Sequence, residues 1–314
     1  MPIDIPVIDF SKFGSVDSKN KELVYACEEF GFFQVVNHGI DPTQCEAFIS
    51  ATKQFFALHF DKKQALLRTS ENPWGYYDRE LTKNKQDWKQ VFDFGIDQND
   101  GDYPTISQWP GDIKGFKQIM LDWFRSCETV SATLLKQIVG TLIQDSDQLS
   151  HFFEPTNSSF VRLNYYPLCD NPADSSLDNP QHGHLGVSHH TDAGALTVLI
   201  QDAVSGLQIK SGNQWYTIIP ESDALIVNIG DLLQVWSNDR YKAALHRVMA
   251  NGFEERFSAP FFYNPVYTCD CAPLRSSEKP RYRTVNWKEF RKARTDGDYA
   301  DIGEESQISD YLIS

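Results

Sequence analysis

The residues best able to do chemistry in this chain stand in SHHTDAGALTVLIQD, residues 188–202. Residues two apart on a strand share a face, so His190 and Asp192 can aim at one point while Thr191 faces away. A divalent metal needs a third ligand. The candidate is His246, a histidine inside the otherwise apolar, strand-like run YKAALHRVMA. His-x-Asp alone is a weak signal, and a lone strand histidine is more often a satisfied core residue than a ligand. His189 has no partner at ligand spacing, and His182 and His184 are expected to be solvated in a loop.

Two imidazoles and one carboxylate cover one face of an octahedron and leave the opposite positions open, which is the facial triad of non-haem Fe(II) oxygenases. Closed tetrahedral zinc would need a fourth protein ligand. Two other strand-like segments bear on the choice. In RFSAPFF, Arg256, Ser258 and Phe262 fall on one face, with Arg256 offering a planar fork for a carboxylate and Ser258 a hydroxyl beside it. In VRLNYYP, Arg162, Asn164 and Tyr166 share a face opposite Val161 and Leu163. Each face alone reads as a solvated strand or an internal ion pair. Together with the His/Asp/His set they fit one pocket for an anion and a metal.

The elements that must position these residues change character along the chain. The first third is mostly helical. Leu23, Ala26, Cys27 and Phe30 keep helical spacing, with Asp17 or Ser18 as a cap and Gly31 as the stop. FFQVVNHGI alternates like a short strand, and Asp41-Pro42 opens a helix in cap-then-proline order. A long helix is expected over about 112–143, with Phe116, Ile119, Met120, Trp123, Cys127 and Val130 in its stripe. From residue 159 the pattern turns to β, in seven or so short runs that include DALIVNIGDLLQVW as one of them and that suggest a sandwich or barrel. The polar stretch 168–187 is turn-rich, and the acidic tail after 290 is expected to be helical near its end.

Bulk composition narrows the function class. At 314 residues with a net charge of −14, the surface repels phosphate backbones and anionic membranes, so nucleic acid and membrane are not expected partners. MPIDIPVIDF lacks the basic start and long apolar run of a signal peptide, and no stretch approaches the roughly 20 apolar residues that span a bilayer. Six cysteines without CxxC spacing (Cys27, Cys45, Cys127, Cys169, Cys269, Cys271) read as reduced, partly buried thiols. A cytoplasmic monomer acting on a small molecule is the expectation.

The quoted segments, taken together, resemble the Fe(II)- and 2-oxoglutarate-dependent dioxygenases of the isopenicillin N synthase-like group. IPVIDF at 5–10, ACEEFGFFQVVNHGI at 26–40 and DWKQVFDFG at 87–95 look like its N-terminal and middle signatures; NYYP, HTDAGALTVLIQD, VSGLQI, and LHRV followed by RFS look like its catalytic core. The resemblance implies a mainly β fold with supporting α-helices. Its core would be a distorted double-stranded β-helix, a jelly roll, in a single dioxygenase domain over 1–314. That domain would divide into a mostly helical part at 1–158, the jelly roll at 159–290 and a tail at 291–314. Carried over by position, it implies that His190, Asp192 and His246 hold Fe(II). Arg256 and Ser258 would take the distal carboxylate of 2-oxoglutarate, with Asn164 and Tyr166 nearby and Phe262 packed against the site. Oxidation of a substrate C–H bond with O2 would then accompany conversion of 2-oxoglutarate to succinate and CO2, and would end in hydroxylation, desaturation or ring closure. The sequence looks more like microbial and algal members of the group than like the flavonoid enzymes of land plants, and those members include kainoid synthases, which cyclise a carboxylated N-prenyl amino acid. Arg162 in the pocket could grip such a carboxylate, or else pair with a pocket acid or contact the cosubstrate.

The chain departs from the group's usual pattern at Leu168, where a second proline often follows NYYP, and in a longer loop before His190, which is expected to form a substrate lid. Three rivals remain open at this level. One is an Fe(II)/O2 oxidase that does not use 2-oxoglutarate. Another is a hydrolase or isomerase with a different metal in the same cage, although no HExxH, GxSxG or P-loop pattern supports it. The third is a non-catalytic binding protein, which would not require all five of His190, Asp192, His246, Arg256 and Ser258.

Overall fold

Strand alternation sorts side chains onto two faces, and the fold follows from what each face must cover. In a computed structural model of the chain, residues 2–13, 21–97, 105–154, 156–274, 279–299 and 306–313 are described. An eight-stranded sheet runs in the order β2 (Val7–Asp9), β3 (Phe32–Val36), β13 (Leu225–Ile229), β10 (Leu196–Gln201), β15 (Arg256–Tyr263), β8 (Phe160–Tyr166), β7 (Gln90–Gly95) and β4 (Gly75–Tyr77). A five-stranded sheet faces it, in the order β1 (Pro2–Ile3), β12 (Gln214–Ile218), β11 (Leu207–Ser211), β14 (His246–Met249) and β9 (Leu185–His190). Two short pairs, β5 (Leu81–Thr82) with β6 (Lys85–Gln86) and β16 (Asp270–Cys271) with β17 (Val285–Asn286), stand apart. Strands β8 to β15 alternate between the two sheets except at the β11–β12 pair, which stays within the smaller one, giving a double-stranded β-helix.

The outer face of the larger sheet is its apolar one. Val161 and Leu163 of β8, Phe257, Ala259 and Phe261 of β15, and Leu196 and Val198 of β10 all join the main core. That core is closed by α2 (Pro42–Phe56) and α4 (Phe116–Leu142), whose stripe of Phe116, Met120, Trp123, Cys127 and Val130 is buried. Phe48 of α2 stacks on Trp123 of α4 with ring centroids 4.4 Å apart. The helices α1 (Lys21–Tyr25) and α3 (Phe60–Gln64) flank this layer. Gly31 ends the helical turn after α1 at φ 63, where a Cβ would meet the Lys242 carbonyl oxygen at 2.4 Å.

The inner face carries polar residues and a smaller apolar cluster that includes Phe32, Tyr166, Val187, Leu207 and Ile226. Two parts of the sequence pattern resolve differently from the expectation. DALIVNIGDLLQVW is β13 followed, after Gly230, by the helix α5 (Asp231–Trp236) rather than one strand. Asp231, Leu232, Leu233, Val235 and Trp236 are all buried, so this six-residue element shows no helical period. The first half also carries strands: β2 and β3 extend one edge of the large sheet, and β7 and β4 the other. Helix α6 (Trp287–Arg294) precedes the acidic tail, which has a 3-10 turn at Ile308–Tyr311 near its end. The expected cap residues Asp17 and Ser18 lie outside the described residues. Among those described, no helix is long and apolar enough to cross a membrane, and all six cysteines are free.

Candidate active site

His190 ends β9 and His246 begins β14. The two residues are register partners across those strands, which brings their ring centroids to 4.3 Å. Asp192 lies two residues beyond the strand end rather than within it. It reaches the same point because its turn is tied from outside: the Asp231 N–H donates to the Asp192 carbonyl at 2.8 Å, and Arg294 Nη2 donates to the Thr191 carbonyl at 2.8 Å. Gly230 permits this approach, since a Cβ there would meet the Gly194 carbonyl oxygen at 2.1 Å.

Each imidazole has its tautomer fixed by a backbone carbonyl, which can only accept. His190 Nδ1 donates to Ser188 O at 2.8 Å and His246 Nδ1 to Ala244 O at 3.0 Å, so both Nε2 atoms are left with lone pairs. Asp192 Oδ2 is saturated by Thr197 Oγ1 at 2.5 Å and Asn228 Nδ2 at 2.8 Å, which leaves Oδ1 to face the rings. Oδ1 stands 3.7 Å from Nε2 of each histidine, and the three ligand atoms lie within 4.8 Å of one another. These are three acceptors in one buried spot, too far apart to bond one another, and a divalent cation would satisfy all of them. Burial, followed by the proximity of His246, pushes the His190 pKa down to about 3, so that ring is a neutral ligand at ordinary pH. Burial pushes the Asp192 carboxyl up, but the neighbouring His246 and His190 rings and the two hydrogen bonds outweigh it and hold the group below its usual range. The donor set fits a facial-triad metal.

Farther along the same interior face, Arg256 is 1% exposed and makes no ion pair among the described residues. Its guanidinium is oriented by Val204 O at 3.1 Å, Gln201 Oε1 at 2.7 Å and Ser258 Oγ at 3.4 Å, and lies 5.0 Å over the Tyr166 ring. Asn164 is the cross-strand partner of Ser258, and its Oδ1 is buried without a hydrogen-bond partner. A guanidinium without an ion pair among the described residues, a hydroxyl and an amide oxygen without a hydrogen-bond partner, whose amide can turn its NH2 inward instead, have the chemistry to receive a carboxylate. Phe262 also faces inward and stacks on Phe160 at 4.7 Å.

Arg162 is not available to a substrate carboxylate. Its Nε and Nη2 form a fork to Asp93 at 2.8 and 2.7 Å, and its Nη1 reaches Glu80 Oε2 at 2.7 Å, so the structure shows the internal ion pair. Lys89 bridges Glu80 and Asp87 at 3.1 Å each, and Asp87 Oδ1 accepts the Ser188 N–H at 3.2 Å. This buried cluster therefore braces the strand that carries His190. The loop before His190 is not a free lid either. Arg247, on the face of β14 opposite His246, donates to the carbonyls of Ser175, Leu177 and Asp178 at 2.8, 2.7 and 3.2 Å, and so fastens the loop to the outside of the small sheet. His184, expected to be solvated, is exposed, with its ring 4.6 Å from that of Trp88.

Sequence spacing did not reveal Thr197, Asn228, Glu80 or Arg294. Only Thr197 left a trace, as a hydroxyl between Leu196 and Val198 in an apolar run.

Residues 157–265 match the family described as the 2OG-Fe(II) oxygenase superfamily, and residues 5–112 match the non-haem dioxygenase in morphine synthesis N-terminal family. The chain is 34% identical over 301 residues to gibberellin 2-beta-dioxygenase 8 of Arabidopsis thaliana, covering 92% of this chain and 82% of the relative. It is 31% identical over 321 residues to jasmonate-induced oxygenase 1 of the same plant, covering 98% and 76%. Among solved structures, JOX2 in complex with 2OG, Fe and JA superposes with a TM-score of 0.82 at 26% identity, over 100% of this chain and 90% of that one. The dioxygenase for auxin oxidation in rice shares the fold, with a TM-score of 0.70 at 20% identity, over 98% and 100%.

Proposed function

The chain belongs to the 2OG-Fe(II) oxygenase superfamily, and on that footing we propose that it oxidises a C–H bond of an organic small molecule at a centre formed by His190, Asp192 and His246. The observation that carries this reading is the convergence of the two free Nε2 atoms on the one free Asp192 oxygen, each at 3.7 Å. Fe(II) held there, with 2-oxoglutarate and O2, supplies the oxidising power and yields succinate and CO2. The two histidines act as neutral donors, and Asp192 contributes the one negative charge of the protein ligand set. Arg256 receives the distal carboxylate of 2-oxoglutarate through a charge-assisted fork, with Ser258 and Asn164 beside it and the Tyr166 ring backing the guanidinium. That contact fixes the far end of the cosubstrate and so directs its keto acid end toward the triad. Phe262 and Phe160 form the wall of the substrate chamber.

Hydroxylation is the outcome best supported, because the relatives' names include a 2-beta-dioxygenase and feruloyl CoA ortho-hydroxylases. The narrower kainoid-type expectation relied on Arg162 as a free carboxylate receptor. With Arg162 spent on Asp93 and Glu80, and with plant hydroxylases and oxidases as the relatives found, that support is gone. The test is cosubstrate turnover in air. Fe(II)-supplied protein should convert 2-oxoglutarate slowly to succinate even without substrate, and Asp192→Ala should not. Iron-dependent O2 uptake without succinate would favour the oxidase that does not use 2-oxoglutarate.

A further inference from the structure

Arg256 has a counterpart at the opposite end of β8. Arg291, on α6, forms no ion pair among the described residues, in a chain with 43 acidic side chains. Its Nη1 donates to the Ser158 carbonyl at 3.3 Å and to the Tyr267 hydroxyl at 2.9 Å, while Nη2 and Nε make no hydrogen bond among the described residues. The guanidinium carbon lies 5.2 Å from the centre of the Phe160 ring. Phe160 and Phe262 are a half-buried stacked pair that belongs to neither apolar core. Register continues the line inward: Phe160 is paired with Phe262, and Phe262 with Thr197, whose hydroxyl holds Asp192. Two interstrand spacings, about 10 Å, thus separate the residue touching the metal ligand from the aromatic ring under Arg291.

We propose that Arg291 receives the carboxylate of the substrate, whose apolar or aromatic body lies along Phe160 and Phe262 and places the oxidised carbon at the His190/Asp192/His246 centre. This rests on the oxygenase reading above and adds the substrate class to it. Nη2 and Nε present the two-pronged edge of the guanidinium, which matches a planar carboxylate. One guanidinium carries one positive charge, which suits a monocarboxylate better than a phosphate dianion. Three cations on the neighbouring strands cannot compete for it: Arg162, Arg68 and Lys89 are already balanced by Glu80, Asp87 and Asp93. Arg256, at the far end of the strand, is reserved for the cosubstrate. Phe160 under the guanidinium adds a cation–π contact that holds it in place while both remaining prongs stay open.

The test compares acids with their own primary amides. Protein loaded with Fe(II) and 2-oxoglutarate under argon is titrated calorimetrically with phenylvaleric, naphthylacetic and decanoic acids and with the amide of each. Wild type should bind at least one acid about tenfold more tightly than its amide. Arg291→Gln should erase that preference while leaving the amide affinity within about twofold, and Arg291→Lys should retain part of it. Equal binding of acid and amide, no binding by any acid, or a preference that survives in Arg291→Gln would overturn the assignment. The visible band of chelated 2-oxoglutarate is read in the same samples. A band without acid preference overturns only the role of Arg291. A missing band overturns the iron-and-cosubstrate reading, and the acid–amide comparison, which needs no iron, still reports on Arg291.

Discussion

At the scale of single residues, the site is preorganised because every ligand is held by an atom it cannot exchange. Carbonyls fix both imidazole tautomers, and two donors occupy the outer oxygen of Asp192. Removing a ligand and removing its holder should therefore differ in degree. His246→Ala should lose Fe(II)-dependent succinate formation while its melting temperature stays within a few degrees of wild type; retained turnover would contradict the ligand assignment. Thr197→Val keeps the shape and frees Asp192 Oδ2, so Fe(II) affinity should fall about 10–100-fold with turnover restored at high iron. An equilibrium metal titration separates that outcome from no change. Arg256 and Ser258 were legible because a strand places every second residue on one face, a rule that needs no partner strand; Asp192 stands past the end of β9 and reaches the histidines through its turn instead. Thr197, Asn228 and Arg291 act across strands or from another element, so no local spacing could announce them.

Between elements, the decisive unit is the buried cluster that links β7, β8 and the short β5–β6 pair to the metal strand. Arg68, Lys89 and Arg162 face Glu80, Asp87 and Asp93, and Glu80 touches all three cations. Glu80→Gln would leave those cations undercompensated and should cost about 3–5 kcal/mol of stability, read by chemical denaturation. The pH dependence has a definite sign. Burial raises the Glu80 carboxyl, but the Arg162, Lys89 and Arg68 charges outweigh it and hold the group below its ordinary 4.5. Its contribution is therefore complete above about pH 4.5 and is lost as pH falls below that value, because the unfolded chain then binds the proton more readily. Glu80→Gln should flatten the acid limb of the stability curve, and an unchanged limb would count against the cluster. Helix α4 and the cap at Asp41 were legible from period and cap chemistry. The helix α5 was not, because an element buried all round has no polar face to reveal its period.

Across the whole molecule, charge and topology divide the labour. The net charge of −14 belongs to the whole chain, whereas Arg256 and Arg291, near opposite ends of β8, form no ion pair among the described residues. Both faces of the small sheet are engaged: His246 points inward, and Arg247, its neighbour in sequence, clamps the 175–178 backbone outside. Length and polarity made that loop look like a lid, since nothing local marks three carbonyls as partners of an arginine about 70 residues away. Arg247→Gln should expose the 174–184 stretch to limited proteolysis that wild type resists, with the cuts mapped by mass spectrometry. Equal resistance would show that the loop is held by other contacts, such as Lys210 and Trp215 on Asp178.

The central claim joins iron, cosubstrate and this chain's own ligands, and one anaerobic titration reaches all three. Adding 2-oxoglutarate to the Fe(II)-loaded protein should raise a weak, saturable visible charge-transfer band. The band should vanish in His246→Ala and require more 2-oxoglutarate in Arg256→Ala. No band in wild type with iron bound, or an undiminished band in His246→Ala, would contradict the account.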